Sequence, residues 1–159
     1  MGIEIERKFL VASDAWRARV ARSEPMCQQY LASHEGCSIR VRLVGGRANL
    51  NVKGRTLGAK RLEFEYAIPL EDAREMLEHL GGPRIEKTRH YVEVDGRTWE
   101  VDEFGGANAG LVVAEIELPG EDASFTVPDW AGREVTGDWR YYNVSLAERP
   151  WPEWRDEAG

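Results

Sequence analysis

From Ile3 to Leu118, charged residues return at every second position in segment after segment, with apolar residues between them. Glu4, Glu6 and Lys8 alternate with Ile3, Ile5 and Phe9, and Arg40 and Arg42 with Ile39, Val41 and Leu43. Lys53 keeps phase with Asn49 and Asn51, opposite Leu50 and Val52; Arg61, Glu63 and Glu65 oppose Leu62, Phe64, Tyr66 and Ile68. Lys87 and Arg89 follow, then Glu100 and Asp102 against Trp99 and Val101, and Glu115 and Glu117 against Ala114, Ile116 and Leu118. On a strand, such i, i+2 residues share a face about 7 Å apart. A helix would instead make Glu4 and Lys8 an i, i+4 pair on a wet face, but the repeated period of two decides for strands. Unpaired charges in an apolar core cost several kcal/mol, so these faces meet water or build a charged site. An open sheet with one wet side is the common arrangement. Such a face favours Thr, Lys, Gln and Ser, however, and not paired carboxylates beside paired arginines. Consecutive strands joined mostly by hairpins can close on themselves, leaving the charged faces around a lumen.

The expected class is therefore α+β, mainly antiparallel β. It is a closed eight-stranded β-barrel, a tunnel with a charged lumen and with helices and a Trp-rich tail packed outside. Strands are expected over 3–11, 27–32, 37–44, 47–53, 60–68, 84–94, 97–104 and 111–118, with Asp95-Gly96 as a tight hairpin turn. Ser13 caps a helix over 13–22 that carries Trp16 and Val20 on one face and is broken at Glu24-Pro25. A second helix spans 69–80, ahead of Gly81-Gly82-Pro83. Beyond Pro119 the chain reads as irregular, with a short helix over 142–147 and a frayed tail. At 159 residues, without a linker or repeat, 1–159 is expected as one domain.

A net charge of −7 argues against nonspecific nucleic-acid or anionic-membrane binding. No apolar run approaches a membrane span and the N-terminus lacks signal-peptide regions. Glu6 occupies the Ser/Thr position that myristoylation after Met1-Gly2 would require. Cys27 and Cys37 show no metal spacing and are expected as thiols, in a cytoplasmic protein. Monomer and homodimer remain equally open.

The inward carboxylates are Glu4, Glu6, Glu63, Glu65, Glu100, Asp102, Glu115 and Glu117, and the inward bases Lys8, Arg40, Arg42, Lys53, Arg61, Lys87 and Arg89. Clustered carboxylates repel, and some stay protonated unless a cation joins them. Oxygen ligands without His or Cys suit Mg²⁺ or Mn²⁺. Arginine forks and lysines suit phosphate oxygens. A lumen offering both suits a metal-bound chain of phosphates and phosphoryl transfer. No P-loop, dinucleotide-binding or nucleophile-elbow motif is present. His34, His79 and His90 read as surface or packing residues, as do the tryptophans and Arg140-Tyr141-Tyr142-Asn143.

Glu4-Ile5-Glu6-Arg7-Lys8 resembles the E-x-E-x-K signature of CYTH proteins, the triphosphate tunnel metalloenzymes. The resemblance continues in order through Ile39-Arg40-Val41-Arg42, Val52-Lys53-Gly54, Leu62-Glu63-Phe64-Glu65 and Glu86-Lys87-Thr88-Arg89. It closes with Trp99 to Phe104, Ala114 to Leu118 and Arg140 to Asn143. It is strongest to the short bacterial branch. It implies an eight-stranded antiparallel tunnel that hydrolyses inorganic triphosphate with a divalent metal. Acidic motif positions would bind metal and orient water, and basic ones would grip phosphate. The catalytic residues implied are Lys8, Glu6, Glu63 and Tyr30, the last matching a tyrosine that in some relatives contacts the lysine at Lys8's position. His90 departs from the pattern, where Tyr often follows the matching Arg, but its phase points outward. The alternatives are a class IV-type adenylyl cyclase, a nucleoside or thiamine triphosphatase, and a polyphosphate-binding module that does not cleave.

Overall fold

The first strand, β1 (Gly2–Val11), closes the sheet on itself. In the computed structural model, which describes residues 2–157, one edge of β1 pairs with β8 (Val112–Glu117) from Glu6↔Glu117 to Leu10↔Val113. The other edge pairs with β5 (Lys60–Ile68), through Gly2↔Glu63 and Glu4↔Arg61. Between these lie β4 (Arg47–Gly54), β3 (Cys37–Val44), β2 (Val20–His34), β6 (Arg84–Val94) and β7 (Arg97–Phe104), in the spatial order β5-β4-β3-β2-β6-β7-β8-β1. All these neighbours run antiparallel. The result is the expected closed eight-stranded barrel, and it removes the edges that an open sheet exposes. A ninth strand, β9 (Ala131–Glu134), was not expected from the irregular stretch after Pro119. It continues along β1 beyond β5, at Phe9↔Glu134 and Val11↔Ala131.

The segment expected as a helix over 13–22 is a single 3₁₀ turn, Ala15–Arg19, and β2 starts directly at Val20. Trp16 and Val20 still pack in one core cluster, so their burial is kept without helical backbone. The ladder with β6, running from Val20↔Val92 to Gln29↔Arg84, decides the backbone instead. Glu24-Pro25 does not break the chain. Pairing of β2 with β3 begins only at Met26↔Val44, so Pro25 occupies a position open on that side, where a missing N–H is tolerated.

Three apolar clusters hold the barrel. Outside β1, β8, β7 and β6, Phe9, Ile116, Ala114, Trp99, Val101 and Val92 are buried with Trp130 and Trp16, and Phe125 packs against them. The cover here is the 119–130 strap and not a helix. The helix α1 (Leu70–His79) covers Val41 and Ala48 on the β3–β4 side. The expected outer cover of helices does not extend over β1 and β5: Ile5 and Phe64 are only half-buried, and Ile3, Leu62 and Tyr66 on the same outer faces are exposed. The third cluster lies inside. Leu10, Val113, Phe104, Ile85 and Tyr30 continue the inward phase of their strands and meet Tyr141, Leu146 and Trp154. The C-terminal segment thus enters the barrel end as an apolar floor. It comprises α2 (Asn143–Glu148) and 3₁₀ turns at Trp151–Glu153 and Arg155–Glu157, where fraying was expected; residues 158 and 159 lie outside the described residues. Asn108 pins it, donating to the Leu146 carbonyl at 3.1 Å and accepting from the Trp151 N–H at 2.8 Å. Among the described residues no helix is long and apolar enough to cross a membrane.

Candidate active site

Above that floor the lumen holds a cavity of about 280 Å³. Of the predicted inward charges, Glu4, Glu6, Lys8, Arg40, Arg42, Lys53, Arg61, Glu63, Glu65, Lys87, Arg89, Glu100, Glu115 and Glu117 all line it. Asp102 is the exception. It is fully buried in the wall, accepting from Arg89 Nε at 2.8 Å on Oδ1 and, on Oδ2, from Lys87 Nζ at 2.7 Å and Arg89 Nη2 at 2.9 Å. With both oxygens so occupied, Asp102 anchors two bases, and its expected place among metal ligands does not fit this arrangement.

Most of the bases are paired. Lys8 lies 3.4 Å from Glu115, Lys53 is 3.2 Å from Glu4, and Arg61 donates to Glu4 at 3.1 Å. Arg89 also reaches Glu100 at 2.6 Å. Arg40 and Arg42 differ: among the described residues neither has a carboxylate within 4.0 Å. Arg40 is buried, its Nε has no hydrogen-bond partner, and Nη1 donates to the Tyr30 hydroxyl at 3.4 Å. Tyr30 therefore meets Arg40. The aromatic ring beside Lys8 is that of Tyr142, 5.5 Å from Nζ, while Nζ donates to the Tyr141 carbonyl at 3.3 Å.

The protonation equilibria are shifted on both sides of the cavity. Burial, reinforced by Glu115 and Glu4, pushes the Glu6 carboxyl up to about 8. Burial and a hydrogen bond to Glu4 push Glu63 up to about 7, and burial likewise raises Glu100 and Glu117. Burial also acts to raise Glu4 and Glu115, but Lys53 and Arg61 around Glu4, and Lys8 and Arg89 around Glu115, hold both below the ordinary carboxylate value. On the basic side, burial lowers Lys87 to about 7 against the pull of Asp102. Burial with Arg40 and Arg61 lowers Lys53 to about 8, and burial with Arg40 and Arg89 lowers Arg42 to about 9. Glu6, Glu63, Glu100 and Glu117 resist losing protons, while Lys87, Lys53 and Arg42 resist holding them, within one small volume. A ligand carrying concentrated negative charge with a bound cation relieves both. Among the described residues no three His, Cys, Asp or Glu side chains converge closely enough to hold a metal ion by themselves. The donor chemistry still fits a hard cation: several carboxylates, no His or Cys in the lining, and room for ligand oxygens to complete the shell.

The sequence reading missed several lining residues: Glu24, Met26, Arg47, Tyr91, Tyr142 and Asn143. It also missed Gln28, fully buried behind Arg42. Met26 and Gln28 share the inward phase of Tyr30 and were legible from it. Tyr142 and Asn143 stand in a run read as packing; Tyr141 does pack, but its two successors face the cavity. His90 points outward as expected, stacking near Trp16 at 4.9 Å and contacting Ser23 and Glu103.

The comparisons agree with this geometry. The sequence profile of the CYTH domain matches residues 2–150. An Acetivibrio thermocellus protein named inorganic triphosphatase is 48% identical over 157 residues, covering 98% of this chain and 100% of its own. A Nitrosomonas europaea protein of the same name is 36% identical over 148 residues, covering 91% and 96%. Among solved structures, the crystal structure of an inorganic triphosphatase superposes with a TM-score of 0.66 at 35% identity, covering 91% of this chain and 97% of that one.

Proposed function

Because the chain belongs to the CYTH domain family, we propose that it hydrolyses inorganic triphosphate to diphosphate and phosphate in the barrel lumen, with Mg²⁺ or Mn²⁺. The observation that carries this is the carboxylate-free pair of buried Arg40 and half-buried Arg42, facing a wall of carboxylates across one cavity. A buried guanidinium without a counter-charge is costly, and a phosphate chain supplies that charge. The two relatives bearing the triphosphatase name cover nearly the whole chain and support the same reading.

Arg40, Arg42, Lys53, Lys87 and Arg89 bind the nonbridging oxygens, and Asp102 keeps Lys87 and Arg89 aimed. Glu4, Glu6, Glu63, Glu65, Glu100, Glu115 and Glu117 form the set that would hold the metal, with Arg61 steadying Glu4. A divalent cation held there would supply neutralisation of the charge that develops on the phosphate chain. The water oxygen forms the new P–O bond, the bridging P–O bond breaks, and its electron pair leaves with the diphosphate. The water's proton would pass to a carboxylate of the wall in its ionised form, Glu6 or Glu63. Lys8, fixed by Glu115 and the Tyr141 carbonyl, donates to the reacting phosphoryl group as charge grows.

The test is incubation of the purified protein with tripolyphosphate, ATP or thiamine triphosphate, each with Mg²⁺ or Mn²⁺. Phosphate release from tripolyphosphate well ahead of the organic triphosphates is expected. Cyclic AMP from ATP, or tight tripolyphosphate binding without turnover, would overturn the proposal.

A further inference from the structure

The cavity wall contains a polar relay that begins and ends on a cation. Arg42 Nε donates to Gln28 Oε1 at 2.7 Å. Gln28 Nε2 donates to Asn143 Oδ1 at 3.0 Å, and Lys87 Nζ donates to the same Oδ1 at 2.8 Å. Lys87 is in turn held by Asp102. The polarity of this relay is not arbitrary. A guanidinium can only donate, so Gln28 must present its oxygen to Arg42 and its NH₂ to Asn143. Lys87, donating from the other side, imposes the same orientation on Asn143 independently. Both amide flips are thereby settled by the charges at the two ends.

Asn143 lines the cavity, and its oxygen is doubly engaged. The hydrogen bonds of the described residues leave its Nδ2 unclaimed. We infer that Asn143 is a substrate-binding residue, contributed by the C-terminal segment, whose NH₂ donates to a nonbridging phosphate oxygen between Arg42 and Lys87. Gln28, fully buried and out of reach of the ligand, is a positioning residue that ties this donor to Arg42. The inference rests on the triphosphatase reading above and deepens it. A neutral donor at this point adds a contact without placing a further positive charge beside Arg40, Arg42, Lys87 and Arg89, where burial, joined by repulsion among these bases, already depresses Arg42 and Lys87.

The isosteric change Asn143→Asp separates donation from support. It keeps an oxygen for Gln28 and Lys87 but replaces the NH₂ by a second acceptor. A supporting role predicts that Asn143→Asp is milder than Asn143→Ala, since only the former keeps both wall contacts. A donor to phosphate predicts the reverse. Steady-state hydrolysis of tripolyphosphate at saturating Mg²⁺ is expected to show KM raised about 10-fold in Asn143→Ala and further in Asn143→Asp, with kcat within about 3-fold. The melting temperature of ligand-free Asn143→Asp stays at or above that of wild type. In the NMR spectrum of the wild-type protein, the side-chain NH₂ resonances missing from Asn143→Asp move downfield when tripolyphosphate is added. A KM for Asn143→Asp at or below that of Asn143→Ala, or unmoved NH₂ resonances on a wild-type protein that binds tripolyphosphate, overturns the inference alone. A wild-type protein that neither binds nor cleaves tripolyphosphate overturns the functional proposal itself.

Discussion

Arg40 and Arg42 stand two residues apart on one strand, and the cost of keeping them charged falls on the empty protein. Arg40 has an unpartnered Nε, and its contact with the Tyr30 hydroxyl is long. Arg40→Ala is expected to raise KM for tripolyphosphate by about 10- to 100-fold, the loss of a charge-assisted hydrogen bond of about 1.5–3 kcal/mol. Its ligand-free melting temperature should hold or rise, because an uncompensated buried charge disappears. Lys87→Ala behaves oppositely. It strips one of three hydrogen bonds from fully buried Asp102, which Arg89 still holds, so destabilisation of about 1–3 kcal/mol is expected in urea unfolding. Equal stability losses in the two variants would contradict this division between gripping and wall-building bases. The inward phase of both residues was legible in the sequence, because period-two alternation names a face. Which base is paired was not, since pairing crosses between strands whose register no local pattern states. Asp102 shows the limit: its phase is inward, yet two neighbours draw it into the wall.

Among the elements, the C-terminal segment contributes most beyond its length. Tyr141, Leu146 and Trp154 form the floor with Ile85, Phe104 and Val113, while Tyr142 and Asn143 face the cavity. Trp154 is buried against Tyr141 with ring centroids 5.1 Å apart. Trp154→Ala is expected to cost about 3–5 kcal/mol and also to raise KM, since the floor sets the height of Asn143. Urea unfolding and kinetics on the same preparation check both; a stability loss with KM unchanged would separate floor from site. The strands were readable because their two faces differ so sharply in polarity. The floor was not. Leu10, Val113, Phe104 and Ile85 keep the inward phase but are apolar, and alternation alone does not say where along a lumen water gives way to packing. Likewise β9 is short and edge-bound, held by pairing to β1 that a polar, Pro-flanked sequence does not announce.

For the molecule as a whole, the shifted groups make stability depend on pH in a worked direction. Glu6 and Glu63, raised to about 8 and about 7 from 4.5, keep protons in the folded state that the unfolded chain releases. Stability is therefore lost as pH rises from the ordinary carboxylate range toward 8. Lys87 and Lys53, lowered to about 7 and about 8 from 10.5, shed protons that the unfolded chain keeps, so stability recovers as pH rises above that window. The ligand-free melting temperature is expected to fall between pH 5 and 7 and to climb again above 8. Mg²⁺ with tripolyphosphate should flatten the fall; a rise from pH 5 to 7 without ligand would refute the account. The closure of the barrel also carries a consequence for synthesis. The first strand waits for β5, then β8 and β9, and the floor of the site arrives only with residues 141–154. On the ribosome, an emerging chain that has already made every carboxylate and guanidinium of the cavity is expected to lack the floor of its chamber until residues 141–154 follow.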